Sequence, residues 1–279
     1  MKNVLSIAGS DCSAGAGIQA DLKSFVANGV YGMTVITSIT AQNTNEVRMV
    51  EDVSSEMLKN QIEVIFDEIK VDAVKIGMLN SKENAELIYK ELLKYKVQNI
   101  VLDPVMISTS GKSLIKDETK NFLINNLFKI ADIITPNLDE TKEIVKIILN
   151  NENIKNIDSI EKMEIYGEII ANFTKKWVLI KGGHLSNSAV DILINSDEKY
   201  ILDGEKIPSN NTHGTGCSLS SAIASNLAKG YTMLEAVKKA KNFVLFSIKN
   251  SNSIDFEKLN GTVNQMGEIY KNIDIEKLY

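Results

Sequence analysis

The sequence predicts an α/β fold in which a mostly parallel central sheet is flanked by helices on both faces, giving three layers. Short apolar runs rich in β-branched residues alternate with longer segments of helical period, the pattern expected when parallel strands are joined by crossover helices. A chain of 279 residues can form one large α/β domain or two smaller ones. It contains only three prolines and no Pro/Gly/Ser-rich linker, so no domain boundary is marked.

Eight apolar runs are predicted as strands because each is short and bounded by turn-forming residues. In chain order they are 4–8, 33–39, 73–76, 100–102, 133–135, 178–181, 190–194 and 199–202. The last two flank the polar segment 195–198, which favours an antiparallel hairpin.

Six segments show helical periodicity and are predicted as the crossover and covering helices. They are 54–69, 81–95, 138–149, 160–175, 216–228 and 232–249. Asn80 followed by Glu83 is a plausible capping pair for the second helix. The Asn-, Asp- and Lys-rich segment 150–159 is predicted as a surface loop.

Composition excludes several classes of function. The formal net charge is -5 and the lysines are scattered, so no basic stripe for a nucleic acid is present. No apolar run reaches the roughly 18 to 20 residues of a membrane span, and the apolar stretch at the start is too short for a signal peptide, so we expect a cytoplasmic protein. Cys12 and Cys217 are too few for a disulfide framework, and with His184 and His213 they make a zinc site improbable.

The segments that follow the predicted strands point to a ligand site. In an open parallel sheet, ligands bind beyond the carboxyl ends of the strands near the topological switch point. These ends carry glycine and small polar residues at 9–11, 40–43, 77–78, 103–106, 136–137 and 182–184. Any one of these segments fits an ordinary surface loop, but six together favour a site.

The first glycine-rich loop, residues 8–18, matches a relaxed dinucleotide fingerprint as Gly15-x-Gly17-x-x-Ala20. The true fingerprint begins directly after a strand and is followed about 20 residues later by an acidic residue. Here Gly15 lies eight residues past Ile7, and the second strand ends without an acid. A Walker A loop is also missing from the sequence.

The second glycine-rich segment, residues 211–218, opens directly into an apolar helix. Unpaired N–H groups and the positive dipole end at a helix amino terminus form an anion cradle suited to a phosphoryl group. The flexible glycines of this segment would form it, and Cys217 would lie in the first helical turn, where the same field favours a thiolate. The alternative is a simple turn with Cys217 as a small buried apolar residue.

Two carboxylates lie at neighbouring predicted strand ends. Asp103 closes one strand, and Asn137-x-x-Glu140 follows the next, so the two acids could hold Mg²⁺, mostly through water, against nucleotide phosphates. Asn137 and Glu140 equally have the form of a capping pair. Lys181 is either a phosphate ligand or a solvated strand end, and Asp21 is compatible with a helix-surface charge.

Nine short motifs, in chain order, carry a family resemblance. They are residues 8–11, 15–23, 31–32, 41–44, 75–79, 103–106, 135–137, 181–184 and 211–217. Together they resemble the hydroxymethylpyrimidine/phosphomethylpyrimidine kinases of the ribokinase-like superfamily. The resemblance implies one ribokinase-like domain over residues 1–279, and commonly a homodimer.

The activity that the resemblance implies is ATP-dependent phosphorylation of 4-amino-5-hydroxymethyl-2-methylpyrimidine, and then of its monophosphate to the diphosphate, in thiamine biosynthesis. The implied pyrimidine contacts are Gly9, Asp21, Gln42, Met78 and Val105. A side-chain amide such as that of Gln42 can both donate to and accept from a pyrimidine edge.

The resemblance also assigns the phosphate side of the site. ATP would contact Asp103, Asn137, Glu140 and Lys181, with Asp103 and Glu140 organising Mg²⁺. The segment from Gly214 to Gly216 would form the anion hole. Cys217 would be the base that accepts the hydroxyl proton.

Two positions depart from the family pattern, which often has Pro at the position of Cys12 and Gly at the position of Ala14. Residues 259–264 match the family's usual ending only loosely.

The nearest competing function is a pyridoxine/pyridoxal kinase of the same superfamily, whose substrate is also a hydroxymethyl heteroaromatic. A dinucleotide-dependent oxidoreductase is disfavoured by the misplaced glycines. A non-catalytic pyrimidine-binding protein is disfavoured by the intact set of Asp103, Glu140 and Cys217.

Overall fold

A computed structural model describes residues 1–106, 115–183, 189–254, 261–267 and 269. Nine strands lie in these ranges: β1 (Asn3–Asp11), β2 (Tyr31–Gln42), β3 (Val47–Asp52), β4 (Ala73–Ile76), β5 (Ile100–Leu102), β6 (Ile133–Ile134), β7 (Trp177–Ile180), β8 (Asp191–Ile194) and β9 (Lys199–Leu202). They form one sheet in the order β3-β2-β1-β4-β5-β6-β7-β8-β9.

The sheet is parallel in its centre and antiparallel at both edges. Strands β2, β1, β4, β5, β6 and β7 are parallel neighbours, whereas β3 pairs antiparallel with β2, and β8 with β7 and β9. The predicted hairpin of β8 and β9 is thus confirmed. The chain runs from β1 outward to β2 and β3 and then returns to place β4 on the other side of β1. The topological switch point therefore lies between β1 and β4, where a ligand is expected.

The helices are α1 (Gly17–Ala27), α2 (Ser55–Glu68), α3 (Lys82–Lys94), α4 (Asp117–Phe122), α5 (Phe128–Ile130), α6 (Leu138–Leu149), α7 (Ile160–Thr174), α8 (Thr215–Ala228) and α9 (Met233–Lys249). A π-helical turn at Leu123–Leu127 joins α4 to α5. Among the helices that the structure describes, none combines the length and apolar character that a bilayer span requires.

Alternation along the central strands divides the core into two layers. Leu5 and Ile7 of β1 pack in the core that includes α2, α3, α6 and α7, whereas Val4 packs in the core that includes α1, α8 and α9. The predicted three-layer α/β/α arrangement is confirmed. In β4 the same alternation turns Lys75 toward the layer of α1 and α8, and this lysine is fully buried.

Strand β3 and helices α1, α4 and α5 were absent from the sequence-based prediction. Strand β3 is an exposed edge strand that lacks a buried face, and α1 begins inside the glycine-rich loop, so neither has a clear apolar period. The helical segment from α4 to α5 is interrupted by the π-turn, which breaks the 3.6-residue repeat.

The capping predictions have mixed outcomes. Ser81, not Asn80, caps α3, because its side chain accepts from the backbone N–H of Asn84. The predicted capping box of Asn137 and Glu140 at α6 is confirmed in both directions. Residues 150–159 form the predicted loop between α6 and α7.

Candidate active site

A cavity of about 210 Å³ opens beyond the carboxyl ends of β1, β4 and β5 and against the amino terminus of α8. Its position at the topological switch point is the one that the sheet order requires for a ligand. The predicted site residues in its wall are Gly9, Gln42, Met78, Asp103, Val105, Asn137, Glu140, Lys181, Gly214, Gly216 and Cys217. Thr215 and Asp21 are not part of this wall.

The two glycine-rich segments, far apart in sequence, pack against each other at the mouth of α8. Gly214 is the N-cap of α8 with a φ of +84°, and a Cβ at this position would collide with the carbonyl oxygen of Gly15. Gly17, with a φ of +58°, would collide in the same way with the carbonyl of Gly9. These glycines are therefore required for a close approach of backbones, which leaves the first turn of α8 open to the cavity.

Asp11 and His213 join these two segments. The Asp11 carboxylate accepts hydrogen bonds from Ser13 N at 2.9 Å and from Ala16 N at 2.8 Å, and its Oδ2 lies 3.2 Å from His213 Nε2. Burial would raise the pKa of Asp11, but these hydrogen bonds, led by that with His213, hold it well below its usual range. The carboxylate is thus a fixed anchor for the first loop.

The segment 261–264 completes the support of the second loop. The backbone N–H of His213 donates to Gly261 O at 3.3 Å, and Val263 N donates to His213 O at 3.2 Å. Thr262 Oγ1 lies 3.1 Å from His213 O and 3.3 Å from Gly15 O, so its one hydroxyl proton can be donated to either carbonyl. One threonine therefore contacts both glycine-rich segments.

Lys181 and Asp103 form an ion pair on the side of the cavity away from β1. Lys181 Nζ lies 2.9 Å from Asp103 Oδ1, which also accepts from Thr135 Oγ1 at 3.1 Å. A Cβ on Gly216 would lie 3.3 Å from Lys181 Nζ and 3.4 Å from Asp103 Oδ2, so both charges face the helix terminus. Lys181 is therefore not a solvated strand end.

Glu140 forms the predicted capping box, and it also lies in the cavity wall, where its role toward Mg²⁺ stays a prediction. It accepts from Asn137 N at 2.8 Å in the capping box, and it is also 3% exposed and lines the cavity. Burial, with Asp103 nearby and Lys181 opposing, raises the pKa of Glu140 to about 7. Across the described ranges, no three His, Cys, Asp or Glu side chains come together in a way that could bind a metal ion.

Asp21 lies beneath the cavity and not on a helix surface. It is fully buried and accepts hydrogen bonds from Lys75 Nζ at 2.9 and 2.8 Å, from Ser6 Oγ at 2.5 Å and from Ser221 Oγ at 2.7 Å. The surface-charge interpretation is therefore wrong. Lys75, and not Asp21, reaches the cavity wall, so a direct contact between Asp21 and a pyrimidine is not supported.

Cys217 lies in the first turn of α8 and lines the cavity. Burial, aided by Asp21 and Asp103, raises the pKa of Cys217 to about 11, in the direction opposite to the thiolate that the helix terminus is expected to favour. Lys75 and a hydrogen bond from the backbone of Gly17 act in the opposite direction. Burial is therefore the largest influence on the pKa of this thiol, and Lys75 is the largest one that opposes it.

The family model described as phosphomethylpyrimidine kinase matches residues 11–264. The chain belongs to the phosphomethylpyrimidine kinase family. It is 40% identical over 269 residues to the hydroxymethylpyrimidine/phosphomethylpyrimidine kinase of Rhizobium meliloti (strain 1021), covering 96% of this chain and 98% of that one. Two plant relatives, described as thiamine biosynthetic bifunctional enzymes, are longer, and the chain spans 45% and 47% of their lengths.

Two solved structures have folds similar to that of this chain. The phosphomethylpyrimidine kinase of Clostridium difficile 630 is 46% identical with a TM-score of 0.77, covering 89% of this chain and 100% of that one. The pyridoxal kinase of Staphylococcus aureus, in complex with AMP-PCP and pyridoxal, is 31% identical with a TM-score of 0.83. The match covers 95% of this chain and 94% of that one. The chain is thus a ribokinase-like kinase, and a kinase uses ATP as its phosphate donor.

Sequence reasoning about this kinase missed Asp11, Lys75 and His213 as parts of the cavity wall. Asp11 and Lys75 lie inside motifs that carry the family resemblance, and that position was the only available signal. His213 precedes Gly214 and was treated as part of the glycine-rich segment. His184, the last residue of the motif 181–184, lies outside the described residues.

Proposed function

We propose that this kinase transfers the γ-phosphoryl group of ATP to the hydroxymethyl group of 4-amino-5-hydroxymethyl-2-methylpyrimidine, and then phosphorylates the monophosphate to the diphosphate. The observation that carries this proposal is the convergence, in one cavity of a phosphomethylpyrimidine kinase family member, of an anion cradle, an ion pair and a candidate base. These are the amino terminus of α8, the Lys181 and Asp103 pair, and Cys217.

The pyrimidine would lie at the β1 and β2 side of the cavity. Gly9 of β1 and Gln42 of β2 line this side, and Met78 after β4 and Val105 after β5 line the same cavity. A Cβ at Gly9 would lie 2.8 Å from Met78 Cε, so the glycine lets the methionine side chain pack closely against β1. The amide of Gln42 offers both a donor and an acceptor to the ring edge.

The phosphates of ATP would lie between Lys181 and the first turn of α8, where the N–H groups and the lysine favour negative charge. Mg²⁺ commonly binds proteins through one or two carboxylates together with substrate phosphates and water. Asp103 and Glu140 fit that role, because both are buried carboxylates that line the cavity. The metal would neutralise charge on the phosphates.

In the proposed reaction the substrate hydroxyl oxygen attacks the γ-phosphorus and the bond to the β-phosphate oxygen breaks, so that ADP leaves. The hydroxyl proton passes to the Cys217 thiolate. The transition state of such transfers is loose, so the enzyme acts mainly by positioning and by stabilising charge. Gly214, Thr215 and Gly216 would hold the transferred group at the helix terminus.

A pyridoxal kinase is the second candidate, and its support is the similarity to the Staphylococcus aureus enzyme. The two activities differ at the second step, since pyridoxal phosphate is not a substrate for further phosphorylation. The test is ATP consumption by the purified protein with Mg²⁺, in parallel with hydroxymethylpyrimidine, its monophosphate and pyridoxal. Turnover of both the alcohol and the monophosphate is expected. Turnover of pyridoxal alone would replace the proposal with the second candidate.

A matched control assigns any turnover to this cavity. Asp103→Asn should remove ATP consumption with every substrate, because it removes the charge that pairs with Lys181 and one of the two carboxylates proposed to bind magnesium.

We further propose that residues 1–279 act as one kinase domain in the cytoplasm, and that the active protein is a homodimer. Light scattering of the purified protein would test the dimer.

A further inference from the structure

Lys75 is a charged side chain in an apolar layer of the molecule. Its neighbour in β4, Ala73, belongs to the core between the sheet and helices α1 and α8, and the Lys75 side chain has no exposed surface apart from the cavity wall to which it contributes. Burying an ammonium group is costly unless it is paired. Such a position calls for an explanation beyond packing.

Asp21 provides the pairing that keeps Lys75 charged. Both carboxylate oxygens of Asp21 accept from Lys75 Nζ, at 2.9 and 2.8 Å. Ser6 Oγ and Ser221 Oγ donate to the same carboxylate, so its charge is distributed over hydrogen bonds from three elements. Burial lowers the pKa of Lys75, but Asp21 outweighs it and holds this pKa above the ordinary range.

The same cluster reaches Cys217 through α8. Ser221, which donates to Asp21, lies four residues after Cys217, one helical turn away on the same face. Lys75 and Cys217 both line the cavity. Gly77 keeps the space around the ammonium free, because a Cβ at this position would lie 2.8 Å from Lys75 Nζ.

Four charged side chains act on Cys217, from four different parts of the sheet and its helices. They are Lys75 of β4, Asp21 of α1, Asp103 after β5 and Lys181 after β7. Lys181 and Asp103 pair with each other at 2.9 Å and largely cancel. Lys75 also pairs with Asp21, at 2.8 Å, but Lys75 lines the cavity together with Cys217 whereas Asp21 does not, so the positive member of this pair faces the site.

We propose that Lys75, anchored by Asp21, is a positioning residue for Cys217 that supplies the positive charge needed to stabilise its thiolate. The inference rests on the proposed role of Cys217 as the base. The thiol releases its proton to water through the cavity, and the thiolate then accepts the hydroxyl proton of the substrate. A purely structural Lys75 would compensate Asp21 and leave the thiol unaffected.

Alkylation of Cys217 by iodoacetamide, followed against pH by peptide mass spectrometry without substrate, tests the inference. Lys75→Met should move the pH midpoint of alkylation upward and slow the reaction about tenfold at a pH below the midpoint, since an opposite charge lowers a pKa by about one unit or more. Asp21→Asn should move the midpoint downward. Exposed Cys12 is an internal control whose rate should not change.

The opposite signs of the two shifts separate this role from a structural one. An unchanged midpoint in Lys75→Met, or shifts in the same direction in both variants, would overturn the inference. If a single variant does not fold, the double variant Asp21→Asn/Lys75→Met carries no lone buried charge. Its midpoint should still rise, because Lys75 lines the cavity together with Cys217 whereas Asp21 does not. The reaction needs no kinase substrate, so its outcome is independent of the substrate assignment.

Discussion

At the scale of single residues, backbone conformation explains one of the departures from the family pattern. Ala14 has a φ of +61°, in the left-handed region that an L-residue other than glycine adopts at a cost. It is held there because Ala14 N donates to Asp11 O at 2.9 Å and Lys23 Nζ donates to Ala14 O at 2.8 Å. The glycine that is common in the family at this position avoids that cost.

Ala14→Gly should therefore stabilise the protein. The left-handed conformation costs roughly 1 to 2 kcal/mol for a residue with a Cβ, and the extra flexibility of glycine in the unfolded chain returns roughly 0.5 to 1 kcal/mol of this. We expect a net gain of about 0.5 to 1 kcal/mol in the free energy of unfolding, measured by urea denaturation. A loss of stability would show that the loop does not retain this conformation in solution.

The Asp11 carboxylate should make the free energy of unfolding depend on pH, with higher stability at neutral pH than in acid. The pKa of Asp11 is lowered in the folded protein, so its contribution is present above the ordinary pKa and is lost as the pH falls through the folded value. Asp11→Asn should lower the free energy of unfolding by roughly 1 to 3 kcal/mol at pH 6. The difference from the wild type should shrink below about pH 4. A difference that stays constant into acid would mean that the carboxylate charge plays no part.

At the scale of elements, strands, helices and caps could be predicted from the sequence of one segment. Side-chain pairs between segments that are far apart in the sequence could not. The strands with buried faces, the hairpin and the capping box at α6 follow from local periodicity and spacing. The Asp21 and Lys75 pair spans 54 residues, and the Asp11 and His213 pair spans 202. No local signal pairs such side chains, because their proximity is created by the sheet order.

The amino and carboxyl ends of α8 offer a matched pair of substitutions. Gly214 and Gly230 have similar φ values of +84° and +88°, but only Gly214 packs against another backbone, and Gly230 faces open space. Gly214→Ala should displace the Gly15 loop and lower kcat by about 100-fold or more, as the loss of preorganised donors does in other enzymes. Gly230→Ala should cost roughly 1 to 2 kcal/mol of stability and leave kcat unchanged. Equal kcat values for the two variants would contradict the assignment of the anion hole.

At the scale of the whole molecule, the site depends on contacts that join the two ends of the described chain. The switch point between β1 and β4 creates the cavity, and the segment 261–264 crosses back to hold both glycine-rich loops. The sequence predicted the place of the cavity from the strand ends. It did not predict that Thr262 would support it, since the contact with Gly15 spans 247 residues.

Thr262→Val tests this closure while preserving the shape of the side chain. Loss of the hydroxyl leaves Gly15 O and His213 O without that donor, so we expect the free energy of unfolding to fall by roughly 1 to 2 kcal/mol. Thr262→Ser keeps the donor and should retain most of the stability in the same urea titration. Equal losses in both variants would assign the effect to packing of the methyl group instead.

The most direct test of the central claim is the kcat for phosphorylation of hydroxymethylpyrimidine by wild type and Cys217→Ala, with binding of Mg²⁺ and ATP measured in parallel. If Cys217 is the base at this cavity, kcat should fall by about 10²- to 10⁴-fold while nucleotide binding is unchanged. If Cys217→Ala keeps most of the wild-type kcat, the hydroxyl proton has another acceptor and the proposed mechanism is wrong.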